Sequence, residues 1–310
     1  DKTPTKLVLR RRLPRQTSWL PVQTVRDDGN HALMDPCVVA DRMTGRIWLF
    51  HARYPENWDS NNPAAGLGLS SCTVWATWSD DSGANWSAAE NITAQVKLES
   101  WTHYNLGPGV GIQTTAWPYA GRLIIPCSHG GGTTGNNHIF YSDDHGQSWQ
   151  IGGFINAGSE SQVVELSSGV LLNNIRKGGL YGRRYSHSYT YGSSWSAVSC
   201  DPQLIEPVCQ ASLLRFTRQG VEDRHRILFS NPASGSQRVN MTVRMSYDEG
   251  QSWPAAKTIQ TGPAGYSCLT VLPDKTIGLL YECGQTSSIE KIRFALFDVA
   301  WLTDEADFIY

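Results

Sequence analysis

The sequence predicts an all-β propeller, and two observations carry the prediction. One short turn recurs four times along 310 residues, and the stretches between its copies hold short strand-like runs without long amphipathic helical patterns. The turn reads SDDSGANWS at 79–87, YSDDHGQSWQ at 141–150, SYTYGSSWS at 188–196 and SYDEGQSWP at 246–254. Its tryptophans are Trp86, Trp149, Trp195 and Trp253, at intervals of 63, 46 and 58 residues, and Trp19 reads as a worn earlier copy. Periods of about 40–50 residues with short strands belong to propeller blades. An ordinary β-sandwich is the second choice, but it gives no reason for a repeated turn.

The strand signals follow in order. RLIIPCS (122–128), HIFYSDD (138–144), VLLNNIR (170–176), HRILFSN (225–231), VNMTVRMS (239–246), TIGLLYE (276–282) and IRFALFDV (292–299) are rich in β-formers. Clusters of Gly, Asn, Pro or Asp separate many of them. Short strands joined by tight turns must close on themselves or expose edges, which a radial arrangement avoids. We read residues 1–310 as one domain.

In the turn S-x-D-x-G-x-x-W, the Asp side chain accepts backbone N–H bonds, the Gly supplies a positive φ and the Trp packs back on the strands. Nothing in the set resembles a nucleophile. Thr190 replaces the aspartate in the third copy, which suits a scaffold better than a catalytic site.

Composition excludes some functions. Net charge is −2, so no basic footprint argues for nucleic acid. No apolar run reaches the ~18 residues of a membrane span. Seven cysteines contain no CxxC pair, and Cys200 and Cys209 could bridge a loop. His and Cys at metal-ligand spacing are absent, as is a phosphate loop, so neither metal nor cofactor is expected.

The repeated turn is the Asp box, and further segments make the resemblance more specific. GPGVGIQ (107–113), SESQVVELSSGVLLNNIR (159–176), SNPASGSQRVNMTVRMSYDEGQSWP (230–254) and YSCLTVLPDKTIGLLYE (266–282) resemble exo-sialidase (neuraminidase) segments, in that family's order and spacing. The resemblance covers nearly the whole chain. It implies a six-bladed propeller with its site at the centre of one face. The family's first arginine lies in an Arg-Ile-Pro motif that does not occur here, so the first strand is expected to be missing from this chain.

The remaining roles are those the resemblance implies, and the chemistry makes sense of them. A sialic acid carries a carboxylate on its anomeric carbon, and arginine grips a carboxylate by paired, charge-assisted hydrogen bonds. Arg176 and Arg238 match two arginines of the family's clamp of three, while Arg244 reads as structural. Tyr266 matches the nucleophile. Sialidases use tyrosine where most glycosidases use a carboxylate, and a neutral phenol is not repelled by the substrate's own anion. A phenol with a pKa near ~10 needs a base, and Glu160 matches it, with Glu165 close enough to be confused with it. Asp1, before LVLRR, matches the acid/base that protonates the leaving oxygen and later activates water.

Glu282 matches a glutamate that orients the first arginine. Asp35 matches an acidic residue contacting a sugar hydroxyl, with Met34 walling the N-acetyl pocket and Trp58 a weaker candidate for that wall. Gln210 and Tyr104 line the site on motif position alone. His129 reads as structural.

The expected function is a retaining exo-α-sialidase acting on sialylated glycans, glycoproteins or glycolipids. A trans-sialidase would differ only in its acceptor site. The alternative is a catalytically inactive sialoglycan-binding propeller. The place of its substrates favours a secreted or periplasmic protein, with a cytosolic one allowed by the cysteines.

Overall fold

A computed structural model describes residues 3–13, 16–132, 136–176 and 182–309. They form four antiparallel meander sheets in a propeller-like arrangement, preceded by a strand pair of Leu7–Leu9 with Gln23–Arg26. The first large sheet runs Glu90–Asn91, Thr73–Ser79, Ile47–Tyr54, Ala32–Ala40, and ends on the short parallel strand Gly109–Val110. The second runs Gln150–Ile155, Asn137–Ser142, Leu123–Gly131, Trp101–Leu106, and the third Ser161–Glu165, Leu171–Ile175, Arg183–Ser188, Ser199–Asp201.

The fourth sheet holds six strands: Ser212–Thr217, Arg226–Pro232, Val239–Ser246, Ala255–Val271, Ile277–Cys283 and Lys291–Phe297. Its long strand Ala255–Val271 pairs with Val239–Ser246 along its first half and with Ile277–Cys283 along its second. Two meanders are thus joined through one strand, where the sequence suggested separate blades. Six blades, the expected count, are not separately resolved. All seven strand signals fall on observed strands. Only two one-turn helices occur among the described residues, Thr93–Val96 and Val299–Leu302, and none of its helices is long and apolar enough to cross a membrane.

The repeated turn sits at one end of the blades. Leu171 pairs with Ser188 at the turn end of the third sheet, whereas Ile175 pairs with Ser161 at the other. Four residues of strand separate these ends, roughly 13 Å.

Within each turn the serine hydroxyl takes the glycine N–H: Gly83 to Ser79 at 2.8 Å, Gly146 to Ser142 at 2.7 Å, Gly192 to Ser188 at 2.7 Å, Gly250 to Ser246 at 2.8 Å. The aspartate takes the amide four residues on, as Asp248 Oδ1 does from Ser252 at 2.8 Å. In the third copy the Thr190 hydroxyl accepts the Ser194 amide at the same 2.8 Å. Each glycine also follows a residue in the left-handed region, Ser82, His145, Tyr191 or Glu249.

The turns join neighbouring blades. A Cβ on Gly146 would lie 2.3 Å from the Trp48 ring, and one on Gly192 would lie 2.3 Å from Ile139 Cδ1, so glycine lets these two turns seat closely on the preceding sheet. The turn tryptophans follow suit. Trp149 packs edge-on to Phe50 at 4.9 Å, and Trp253 Nε1 donates to Asp201 in the sheet before it at 3.0 Å. These tryptophans pack on their own sheets as expected, Trp149 on Phe140 at 5.5 Å and Trp253 on Phe229 at 5.7 Å, and they also bridge to the blade before.

The sequence left a Cys200–Cys209 bridge open. All seven cysteines are free, with Cys209 buried and Cys200 exposed, so they form no bridge.

Candidate active site

The opposite strand ends bring the predicted residues together. Glu160 precedes the strand Ser161–Glu165 and Arg176 follows Leu171–Ile175, so one antiparallel hairpin places them side by side. Arg176 Nη1 donates to Glu160 Oε2 at 2.6 Å and to the Tyr266 hydroxyl at 3.1 Å. The Tyr266 hydroxyl donates in turn to Glu160 Oε1. Tyr266 and Glu160, 106 residues apart in sequence, therefore share a short hydrogen bond bridged by an arginine.

Arg238 precedes the strand Val239–Ser246 and lies over the Tyr266 ring, 5.6 Å from its centroid. Its Nη2 donates to the Val208 carbonyl at 3.1 Å. Val208 has φ +56°, a left-handed conformation that costs a β-branched residue of order 1–3 kcal/mol.

Electrostatics follow from this packing. Burial raises the Tyr266 phenol far above its ordinary range. The Glu160 charge and hydrogen bond, and more weakly Asp35, push it the same way, while Arg176 opposes them. Tyr266 is therefore a neutral phenol already bonded to a carboxylate. Burial works against the Arg176 charge, but Glu160 and Tyr266 outweigh it and hold the guanidinium protonated. Burial lifts the neighbouring Cys209 thiol to about 11, against the pull of Arg238, Arg176 and Arg183, so it stays a thiol at neutral pH.

Asp35 reaches this group through a bulge. The pairing of Ala32–Ala40 with Ile47–Tyr54 slips between Met34 and Cys37, and Asp35 takes φ +54°. Met34 is half-buried against the large core cluster of Phe50, Trp48 and Trp149.

Glu282 has a different contact from the one expected. Its Oε2 accepts the Tyr266 amide at 2.9 Å, so in this structure it fixes the strand that carries Tyr266. A Cβ at position 265 would lie 2.3 Å from that oxygen, which explains the glycine before Tyr266. Gln210 is buried and bonds the same strand twice and a neighbouring segment once: its Nε2 donates to the Ser267 carbonyl at 3.0 Å, its Oε1 accepts the Ser267 amide at 2.9 Å, and its Nε2 also donates to the Pro108 carbonyl at 2.8 Å.

Several weaker candidates fall away. Tyr104 is fully buried, with its hydroxyl turned to Cys127 Sγ at 3.1 Å and His138 Nε2 at 3.0 Å, so it does not line the site. Trp58 is buried edge-on to Tyr54 at 5.0 Å and belongs to the core. Arg244 and His129 are structural as expected: Arg244 bonds Asn231, and His129 stacks on Trp101 at 3.5 Å. Glu165, the decoy for Glu160, caps the Thr115 and Ala116 amides and pairs with Arg218. Asp1 lies outside the described residues. Among the described residues no group of His, Cys, Asp or Glu is placed to hold a metal ion.

The BNR repeat-like domain family model matches residues 2–281. The chain is 37% identical to a sialidase of Micromonospora viridifaciens over 86% of its own length and 42% of the relative's. It is 32% identical to a sialidase of Bacteroides fragilis (strain YCH46), over 86% of this chain and 49% of that one. The chain thus spans less than half the length of either. Among solved structures, a Hadza microbial sialidase superimposes with a TM-score of 0.86 at 28% identity, covering 97% of this chain and 61% of that one.

Proposed function

We propose that this chain, which belongs to the BNR-repeat family of sialidases, is a retaining exo-α-sialidase acting through a tyrosyl-enzyme intermediate. The observation that carries the reading is the hydrogen bond from the Tyr266 phenol to Glu160, bridged by Arg176 and flanked by Arg238.

The substrate's carboxylate is held by Arg176 and Arg238, whose planar donors suit two oxygens at once. That contact places the anomeric carbon over the Tyr266 oxygen. As the oxygen–carbon bond forms, the phenol proton passes to Glu160, and the leaving glycosidic oxygen takes a proton from the acid, which we assign to Asp1. In the second step the Asp1 carboxylate accepts a proton from water and the hydroxide adds to the anomeric carbon. The phenolate leaves and recovers its proton from Glu160. Two displacements at one carbon retain its configuration.

Asp35 would hold a sugar hydroxyl and Met34 would wall the N-acetyl group. The substrates would be sialylated glycans, glycoproteins or glycolipids, met as a secreted or periplasmic protein. Release of a fluorogenic aglycone from a sialoside across pH 4–8 tests the reading. A chain that binds sialic acid but releases nothing would instead be the non-catalytic binder.

A further inference from the structure

Behind the Tyr266 cluster lies an arginine that the proposed chemistry does not touch. Arg183 opens the strand Arg183–Ser188 and is fully buried. Its Nη1 donates to Glu206 Oε2 at 2.6 Å and to the Cys209 carbonyl at 2.8 Å. Its Nε donates to Asn174 Oδ1 at 2.7 Å. Asn174 pairs with Gln162 in the hairpin whose ends carry Glu160 and Arg176. One guanidinium therefore ties that hairpin to both flanks of the segment Glu206–Cys209.

Between those flanks stands Val208 at φ +56°. A β-branched residue stays there only where the surroundings over-determine it. Held on both sides, its carbonyl is turned to accept Arg238 Nη2 at 3.1 Å. The next residues continue the arrangement, since Gln210 bonds both the carbonyl and the amide of Ser267, the neighbour of Tyr266. Both side chains of the Arg183–Glu206 pair are at 0% exposure. Apolar residues of similar volume often replace such a pair without loss of stability, so stability alone does not account for it. Its fixed fork is better suited to defining geometry.

We propose that Arg183 is a positioning residue. Through Glu206 and the Cys209 carbonyl it holds the Val208 turn, and through the Val208 carbonyl it sets Arg238 to share a carboxylate with Arg176. The proposal rests on the sialoside reading of the site.

The test uses the full chain with Arg183→Met and Glu206→Met combined, which removes both charges together. KM for a fluorogenic sialoside should rise about tenfold with kcat within about threefold of the parent, a loss of ground-state binding. The same pair of changes should add nothing to KM in an Arg238→Ala background, because coupled residues are not additive. An equal further rise in that background, or an unchanged KM, overturns the proposal. If the double variant does not fold, Glu206→Gln serves: a smaller KM rise seen only with Arg238 present supports the clasp, and no rise overturns it. A parent without turnover would count against the sialidase reading and not against the clasp. A crystal structure of the variant then decides: Val208 relaxed and Arg238 released supports it, and an unmoved Arg238 overturns it.

Discussion

The Asp-box turns and the Tyr266 cluster occupy opposite ends of the same strands and treat their carboxylates in opposite ways. In the turns the box aspartate is engaged locally: Asp248 takes the Ser252 amide at 2.8 Å and the Ser252 hydroxyl at 2.5 Å. At the centre, Glu160 spends its two oxygens on a phenol and an arginine that both face the site. Hydrogen bonds to the turn carboxylates, led by the Asn85 amide on Asp81, hold Asp81 at about 2, whereas burial and the Glu160 charge push the Tyr266 phenol up. A carboxylate saturated by its own turn makes a joint. A carboxylate bonded to a phenol from a distant strand can take part in the chemistry we propose.

The largest break in the comparison is expected at Tyr266. Tyr266→Phe removes the oxygen we propose as nucleophile and leaves the ring, so steady turnover should fall about a thousandfold or more. Its melting temperature should stay within about 2 °C of the parent. Turnover kept at the parent level would remove Tyr266 from the mechanism.

Next comes Arg238→Ala. One side of the proposed carboxylate clamp is lost while Glu160 and Tyr266 keep their bond, so KM should rise about 30- to 100-fold, a charge-assisted bond's worth. A fall confined to kcat would show that Arg238 does not hold the ground state.

At the other strand end, Asp248→Ala should cost stability and spare activity. Two amides and two hydroxyls lose their acceptor, as in the loss of a helix cap, worth about 1–2 kcal/mol. For a chain of this length that lowers the melting temperature by about 2–5 °C. A matching loss of kcat/KM at a temperature where the variant is folded would mean that the turn reaches the site after all.

The sequence disclosed the two ends unequally. The boxes were legible because their bonds are local: serine, aspartate and glycine meet within four residues, and the spacing survives as a pattern. Their second task was not legible. Nothing in the spacing says that Gly146 seats on Trp48 of the blade before, a contact across about a hundred residues. At the centre, Tyr266, Glu160, Arg176 and Arg238 came through family resemblance. Their contacts arise from the fold alone. Tyr104 and Trp58 misled because an aromatic near a motif reads alike whether it faces a pocket or a core. Val208 and Arg183 escaped notice because a left-handed valine and a buried arginine leave no sequence signal.

The smallest effect probes the one box that lacks its acid. In the third turn the Thr190 hydroxyl accepts the Ser194 amide and also meets the Ser194 hydroxyl, each at 2.8 Å. Thr190→Asp should keep both contacts, so at pH 7 the change in stability should stay within about 0.5 kcal/mol or favour the variant slightly. The difference lies in acid. A box aspartate has its folded pKa depressed, as Asp81 is from 3.8 to about 2. The stabilisation it gives is present above the unfolded value and is lost as pH falls through the folded one. A hydroxyl has no such dependence. Melting temperatures of Thr190→Asp and the parent, compared at pH 7, 4 and 3, should show any gain from the new carboxylate shrinking toward the lowest pH. A variant less stable at pH 7, or a gain that does not change with acid, would mean that the third turn is not built on the same bonds as the other three.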